Sequence, residues 1–265
     1  IMTTYYRWKL LLSGQGIHFK DKELFSIFYI GIFFSSILPG VVSGDIIKSS
    51  YIMKKASDKK TPALMTVILD RVIGLMGLMI ICCVGFIINI DIVNKHNALK
   101  TLAIIMGLSL IFLLIFAIIG LSRRIGQTKI FNYTINHLPF SNLSRSLYEA
   151  FHIYRGKVST LFYSLLISIF NHALNISAFF IITKALGFDI LDIKSYLFIV
   201  PTGMLTSAIP ITPAGIGVGQ AAFLKLFEWS TGVTTTIGAD AATIWQALCL
   251  FIYMFGVYFY ITYQR

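Results

Sequence analysis

Charge is scarce in this chain. Asp, Glu, Lys and Arg make up 12% of its 265 residues, against about 25% in a soluble domain. With 57% hydrophobic residues and a mean hydropathy of +0.80, a soluble globular domain is excluded and an integral membrane protein is predicted. Cysteine is nearly absent too. Cys82, Cys83 and Cys249 lie in apolar runs without metal-ligand spacing, so they read as small apolar packers and not as a disulfide or zinc framework. Nothing at the N-terminus resembles a cleaved signal peptide. There is no HExxH, no phosphate loop, no carboxylate pair on one helical face and no defensible Ser/His/Asp order. No catalytic constellation, cofactor or metal is therefore called for, although folding could still assemble Asp45, Asp70 and His172 into an intramembrane enzyme. Long flexible linkers and low-complexity segments are missing, which leaves residues 1–265 as a single transmembrane domain.

Apolar runs of membrane length are abundant. The clearest are 63–88, 101–121, 158–186 and 241–263. Two further segments, 24–48 and 195–229, are broken by proline and glycine. The first break reads Leu38-Pro39-Gly40-Val41-Val42-Ser43-Gly44-Asp45. The second carries Pro210, Pro213, Gly215, Gly217 and Gly219 before Gln220. A helix in lipid gives up backbone hydrogen bonds only where the freed groups meet something polar. Matching interruptions in two halves of a membrane protein point to a transport site.

The net charge of +11 reports topology before it reports partners, and no nucleic acid is implied. Lys and Arg concentrate in residues 1–23, 45–62 and 122–157, which are placed on the cytoplasmic side. Both flanks of the first break then share one face. Leu24–Val42 is read as re-entrant, turning at Pro39-Gly40, with the simple span as the alternative. The second segment would re-enter from the opposite face, turning near Pro210 and Pro213, which gives an inverted repeat. The fold class predicted is all-α: a polytopic integral membrane helical bundle with two Pro/Gly-broken segments. Residues 122–157 read as short interfacial helices. Arg7-Trp8-Lys9 reads likewise, with tryptophan at head-group depth and the cations snorkelling.

Asp70 and Arg71 stand inside an otherwise apolar helix, where an ionised side chain costs several kcal/mol unless it is paired or hydrated. Neighbours on a helix point about 100° apart, so each needs a partner elsewhere. Asp45 is a candidate for Arg71, and a purely structural ion pair is the competing reading. A helix starting near Ser43 would aim free N–H groups at an anion, with Lys48 one turn along, unless Asp45 caps it. In the second segment the glycines could instead serve close helix packing. Thr206, Ser207 and Thr212 add hydroxyls there, and Lys225 and Glu228 can pair with each other. Asn171 and Asn175 share a helical face, and His172 is either a proton carrier or a packing residue.

These motifs resemble the lysylphosphatidylglycerol synthase transmembrane region, the lipid-flippase part of bacterial lysylphosphatidylglycerol synthases. The residues that carry the resemblance are Arg7-Trp8-Lys9-x-Leu11-Leu12, Phe34-x-x-x-Leu38-Pro39-Gly40 with Gly44-Asp45, Leu69-Asp70-Arg71-x-x-Gly74, and Pro213-x-Gly215-x-Gly217-x-x-Gln220. The chain departs from the pattern at Lys48, where arginine is expected, and at Gln220, where many relatives carry glutamate. A first transmembrane helix before the Arg-Trp motif and the soluble aminoacyl-transferase domain are also missing. With Ile1 as the first residue, an N-terminally shortened form is expected, and lysyl transfer from a tRNA is not.

The resemblance implies a multi-pass protein of a bacterial or archaeal inner membrane that translocates a polar-headed phospholipid, anionic, aminoacylated or glycosylated, between leaflets. A separate synthase or glycosyltransferase is the implied partner. Head-group contacts are assigned to Asp45, Lys48, Asp70, Arg71 and Gln220, with Asn171, His172 and Asn175 as secondary candidates. The rival functions are an intramembrane enzyme acting on a lipid-linked sugar or phosphate, and a non-catalytic scaffold.

Overall fold

The computed structural model describes residues 1–38, 43–56, 59–122, 141–209, 212 and 215–263. Its helices are α1 (Met2–Gly14), α2 (Asp21–Ile37), α3 (Ser43–Lys55), α4 (Lys60–Ile88), α5 (Ile90–Val93), α6 (Asn97–Leu121), α7 (Ser141–His152), α8 (Val158–Ala185), α9 (Ile193–Ser207), α10 (Val218–Thr231), α11 (Ile237–Met254) and α12 (Gly256–Tyr263). No strand occurs among the described residues. The protein is an all-α, polytopic membrane protein. Among the described residues, four helical segments are long and apolar enough to cross a membrane: α4, α6, α8, and α11 continued by α12. Lipid-facing side chains such as Leu108, Phe112 and Ile115 on α6 stay exposed in the isolated chain, as expected where lipid and not water is the solvent.

Both broken segments form helical hairpins. Asp21 and Glu23 occupy the first turn of α2, and Lys54 and Lys55 the last turn of α3, each suited to the helix dipole. Glu23 pairs with Lys55 at the open end, and the Ser43 hydroxyl donates to Phe34 O (3.5 Å) near the tip. The two helices are therefore antiparallel. In the second hairpin Tyr196 meets Phe227 near the open end, while Ser207 backs onto Gly219 near the tip. Pro39, Gly40, Pro210 and Pro213, assigned to the breaks, lie outside the described residues.

The hairpins point in opposite directions. The first turn of α3 meets α4 well along its length, Asp45 against Arg71, while Lys55, the last residue of α3, lies only five residues before Lys60. Hence α3 and α4 are antiparallel, and α4 runs parallel to α2. Against α4, α9 is antiparallel: Cys82 Sγ lies 3.3 Å from Thr202 Oγ1, and seven residues on, Asn89 Nδ2 donates to Lys194 O at 2.9 Å. Thus α9 opposes α2. Pro201 inside α9 removes the donor for the Leu197 carbonyl, and α4 approaches there through Gly85, where a Cβ would stand 2.5 Å from Leu197 C. The second half returns the contact, since α12 packs on α2 through Gly256 against Phe33 and through Phe259 against Tyr29.

Three expectations need correction. Arg7 does not snorkel and Trp8 does not face head groups: Arg7 is 5% and Trp8 0% exposed, because α1 packs against α4 and α8. Lys48, counted with a basic loop, lies on the inner face of α3, which continues as helix to Lys55. In 122–157, α7 does form, but Phe151 is buried against Gly120 of α6, so α7 is part of the packed bundle; residues 123–140 of that stretch lie outside the described residues. The cysteines are free, and Cys82 is fully buried.

Candidate functional site

The polar centre of the molecule is assembled by α1, α3, α4 and α8. Arg7 Nε donates to Asp70 Oδ1 at 2.8 Å, and Arg7 Nη1 to Ser168 Oγ at 3.1 Å. Lys48 Nζ stands 3.8 Å from Asp70 Oδ2 and 3.9 Å from the centroid of the Trp8 ring. All three charged side chains are almost fully buried. Two cations thus share one carboxylate, with the excess positive charge held against an aromatic face. Gly74, one turn after Asp70, makes room: a Cβ there would lie 3.2 Å from both terminal nitrogens of Arg7. Trp8 is oriented by its own N–H, which donates to Thr66 Oγ1 at 3.3 Å.

Next to this buried set lies a more open pair. Arg71 Nε donates to Asp45, joining the first turn of α3 to α4. The partner expected for Arg71 is therefore the one found. The Arg71 side chain is 45% exposed, so this pair contributes little to stability, on the order of 1 kcal/mol or less. Arg71→Ala should accordingly melt close to the wild type. If the midpoint drops as far as that of a buried-pair variant, the pair is structural.

On α8, His172 Nε2 lies 3.0 Å from Gly74 O. A carbonyl only accepts, so Nε2 carries a proton, and Nδ1 is buried with no hydrogen-bond partner among the described residues. Asn171 Oδ1 accepts from Thr3 Oγ1 at 2.5 Å, and Asn175 is half-buried one turn on. Asn171 and His172 thus tie α8 to α1 and α4.

The second break builds a neutral arrangement. Gly215 (φ 70°) and Gly217 (φ 87°) take left-handed backbone conformations that glycine alone adopts readily. Gly217 N donates to Gln220 Oε1 at 2.7 Å, and Gln220 Nε2 donates to Gln246 Oε1 at 2.8 Å. Gln220 is thus paired with α11 and is not part of the charged set. Lys225 and Glu228 pair with each other at 2.7 Å. Among the described residues, no group of three His, Cys, Asp or Glu stands close enough to hold a metal.

Sequence reasoning brought Asp45, Lys48, Asp70 and Arg71 to one region but missed Arg7, Trp8, Ser168 and Gln246. Arg7 carried a signal only through its motif, since its local setting reads as interfacial.

Comparison with known proteins agrees with this picture. The sequence profile of the lysylphosphatidylglycerol synthase TM region matches residues 2–256. A UPF0104 membrane protein of Methanothermobacter thermautotrophicus is 24% identical over 264 residues, covering 92% of this chain and 76% of its own. Another from Pyrococcus horikoshii is 29% identical over 111 residues, 41% of this chain and 32% of its own length. No solved structure matches. With the profile spanning nearly every residue, the chain belongs to the lysylphosphatidylglycerol synthase TM-region family.

Proposed function

We propose that the protein receives the anionic or aminoacylated head group of a membrane lipid at the charged set and passes the lipid between leaflets. The observation that carries this reading is the buried excess of cations, Arg7 and Lys48 against Asp70, with the half-exposed Arg71 beside it. A phosphate entering from the Arg71 side would meet charge-assisted donors in a region of low dielectric. Asp45 and Asp70 are both engaged by guanidinium groups, so neither is free to act as a general base. That favours translocation over chemistry on the lipid, and the group-transfer step falls to a separate synthase or glycosyltransferase. Beside Lys48 on α3, a cleft of about 270 Å³ lined by Phe34, Ile47, Ser50, Tyr51, Lys54 and Tyr260 suits an acyl chain with its head held nearby. The setting proposed is the cell membrane of a bacterium or archaeon.

Purified protein in liposomes should accelerate leaflet exchange of fluorescent phosphatidylglycerol over phosphatidylcholine, and Arg71→Ala should abolish the difference. No acceleration for any anionic or aminoacylated lipid sinks the reading. Re-entry of the hairpins is tested by labelling. In a background with Cys82, Cys83 and Cys249 changed to alanine, a membrane-impermeant maleimide should reach Lys22→Cys and Lys54→Cys from one face and Lys194→Cys from the other. Labelling of Lys22→Cys and Lys54→Cys from opposite faces would show that the first segment spans.

A further inference from the structure

We infer that residues 1–88 and the second half from α8 onward are two copies of one unit, and that the Arg7–Lys48–Asp70 set is a ligand-directed addition to the first copy that the fold does not require. The second part rests on the head-group reading above.

The duplication is visible in local geometry, element by element. Both first helices end in the same cap. Gly16 and Gly187 have φ of 67° and 79°, and the following N–H reaches back five residues, Ile17 to Leu12 O (3.0 Å) and Phe188 to Thr183 O (3.1 Å). A nearly constant shift along the chain then carries α2 onto α9, Gly31 onto Gly203 and Ser35 onto Ser207. Gly31 is covered by Lys48, and Gly203 by Phe223. Gly44 backs onto Ser35, and Gly219 onto Ser207. The contacts that tie each hairpin to its long helix match as well: Asp45 to Arg71 and Gln220 to Gln246 each join residues 26 apart.

With the copies aligned, the charges stand out as substitutions. Lys48 lies over Trp8 at 3.9 Å, and its counterpart Phe223 stacks on Phe179, the counterpart of Trp8, at 4.6 Å. Asp70 corresponds to Trp245, and Asp45–Arg71 to a neutral glutamine pair. The same backbone therefore closes with the uncharged Ala178, Phe223 and Trp245 where the first copy buries Arg7, Lys48 and Asp70. Replacing a complete buried ion set by apolar groups of similar size is often neutral or stabilising, whereas a change that strands a buried charge is not. Removing Lys48 alone strands none, because Arg7 and Asp70 still balance. A set that the fold can replace, buried at a cost in desolvation, has its use in what it binds.

The test is the triple variant Arg7→Met/Lys48→Phe/Asp70→Leu, with Lys48→Met as a milder second variant that leaves the Arg7–Asp70 pair intact. In neutral detergent both should purify as folded protein and melt cooperatively near the wild-type midpoint. Both should bind dioctanoyl phosphatidylglycerol about tenfold or more weakly, with any binding of dioctanoyl phosphatidylcholine unchanged. If both variants fail to melt cooperatively, the charges are a requirement of the fold and the inference is overturned. It is equally overturned if both fold and bind as the wild type does. If the wild type binds no lipid offered, the head-group reading fails, while cooperative melting of the variants still supports a fold that does not need the charges.

Discussion

Asp70→Ala is expected to destabilise the protein by about 3–5 kcal/mol, a fall in melting midpoint of about 10 °C for a chain of this size. The size of the effect follows from what is left behind. Arg7 loses its 2.8 Å partner and Lys48 the carboxylate at 3.8 Å, so two cations remain buried with Ser168 Oγ and the Trp8 ring as their main remaining contacts. Both side chains are almost fully buried, so water does not take the place of the lost carboxylate without local opening. Asp70→Asn should fall between this variant and the wild type, since it keeps an acceptor for Arg7 but not the charge. Thermal melting in detergent, with size-exclusion to count folded protein, is the measurement. A midpoint for Asp70→Ala within a degree or two of the wild type would mean that the set is hydrated and not buried.

The parts of this site that were legible in the sequence are those where local context and chemistry conflict. Asp70 and Arg71 stand out because ionised residues interrupt an apolar helix, and the search for a partner led to Asp45, where Arg71 is found paired. The hairpins were legible for a similar reason, because proline and glycine inside apolar runs leave backbone groups that a lipid cannot satisfy. Arg7 was not legible. In a short helix with Trp8 and Lys9, and with polar residues on all sides of its helical wheel, nothing local separates a buried arginine from a snorkelling one. The difference lies in α8, more than 150 residues away, which supplies Ser168 and closes over the guanidinium. Lys48 was legible as a head-group cation but not as a buried one: with Lys54, Lys55, Lys59 and Lys60 following, nothing local shows that it turns inward to Asp70 and Trp8. The internal duplication was visible only at its breaks, because the aligned core positions differ in kind, lysine against phenylalanine and aspartate against tryptophan. Glycines at close approaches keep the register where side-chain chemistry does not.

That register makes Gly44→Ala the second change with a large expected effect. A Cβ on Gly44 would fall inside the van der Waals envelope of Gly31 O and Ser35 Oγ and 2.8 Å from Ser35 N. Ser35 could rotate its hydroxyl away, but the Gly31 carbonyl and the Ser35 amide belong to the backbone of α2 and cannot. The hairpin must separate, and α3 carries Asp45 and Lys48 with it, so the Arg71 and Asp70 contacts stretch together. Overpacking costs about 1–3 kcal/mol where side chains can adjust, and this site should lie at or above the upper end. Gly219→Ala is the matched control. Its obstruction is Ser207 Oγ at 2.5 Å and Ser207 Cβ at 3.3 Å, both side-chain atoms, and a new rotamer relieves the closer contact. It should cost no more than about 1 kcal/mol. Melting midpoints of the two variants measured side by side decide the matter. Equal costs of about 1 kcal/mol or less would mean that α2 and α3 part as easily as α9 and α10, and that Lys48 is not held against Trp8 by the packing of the hairpin.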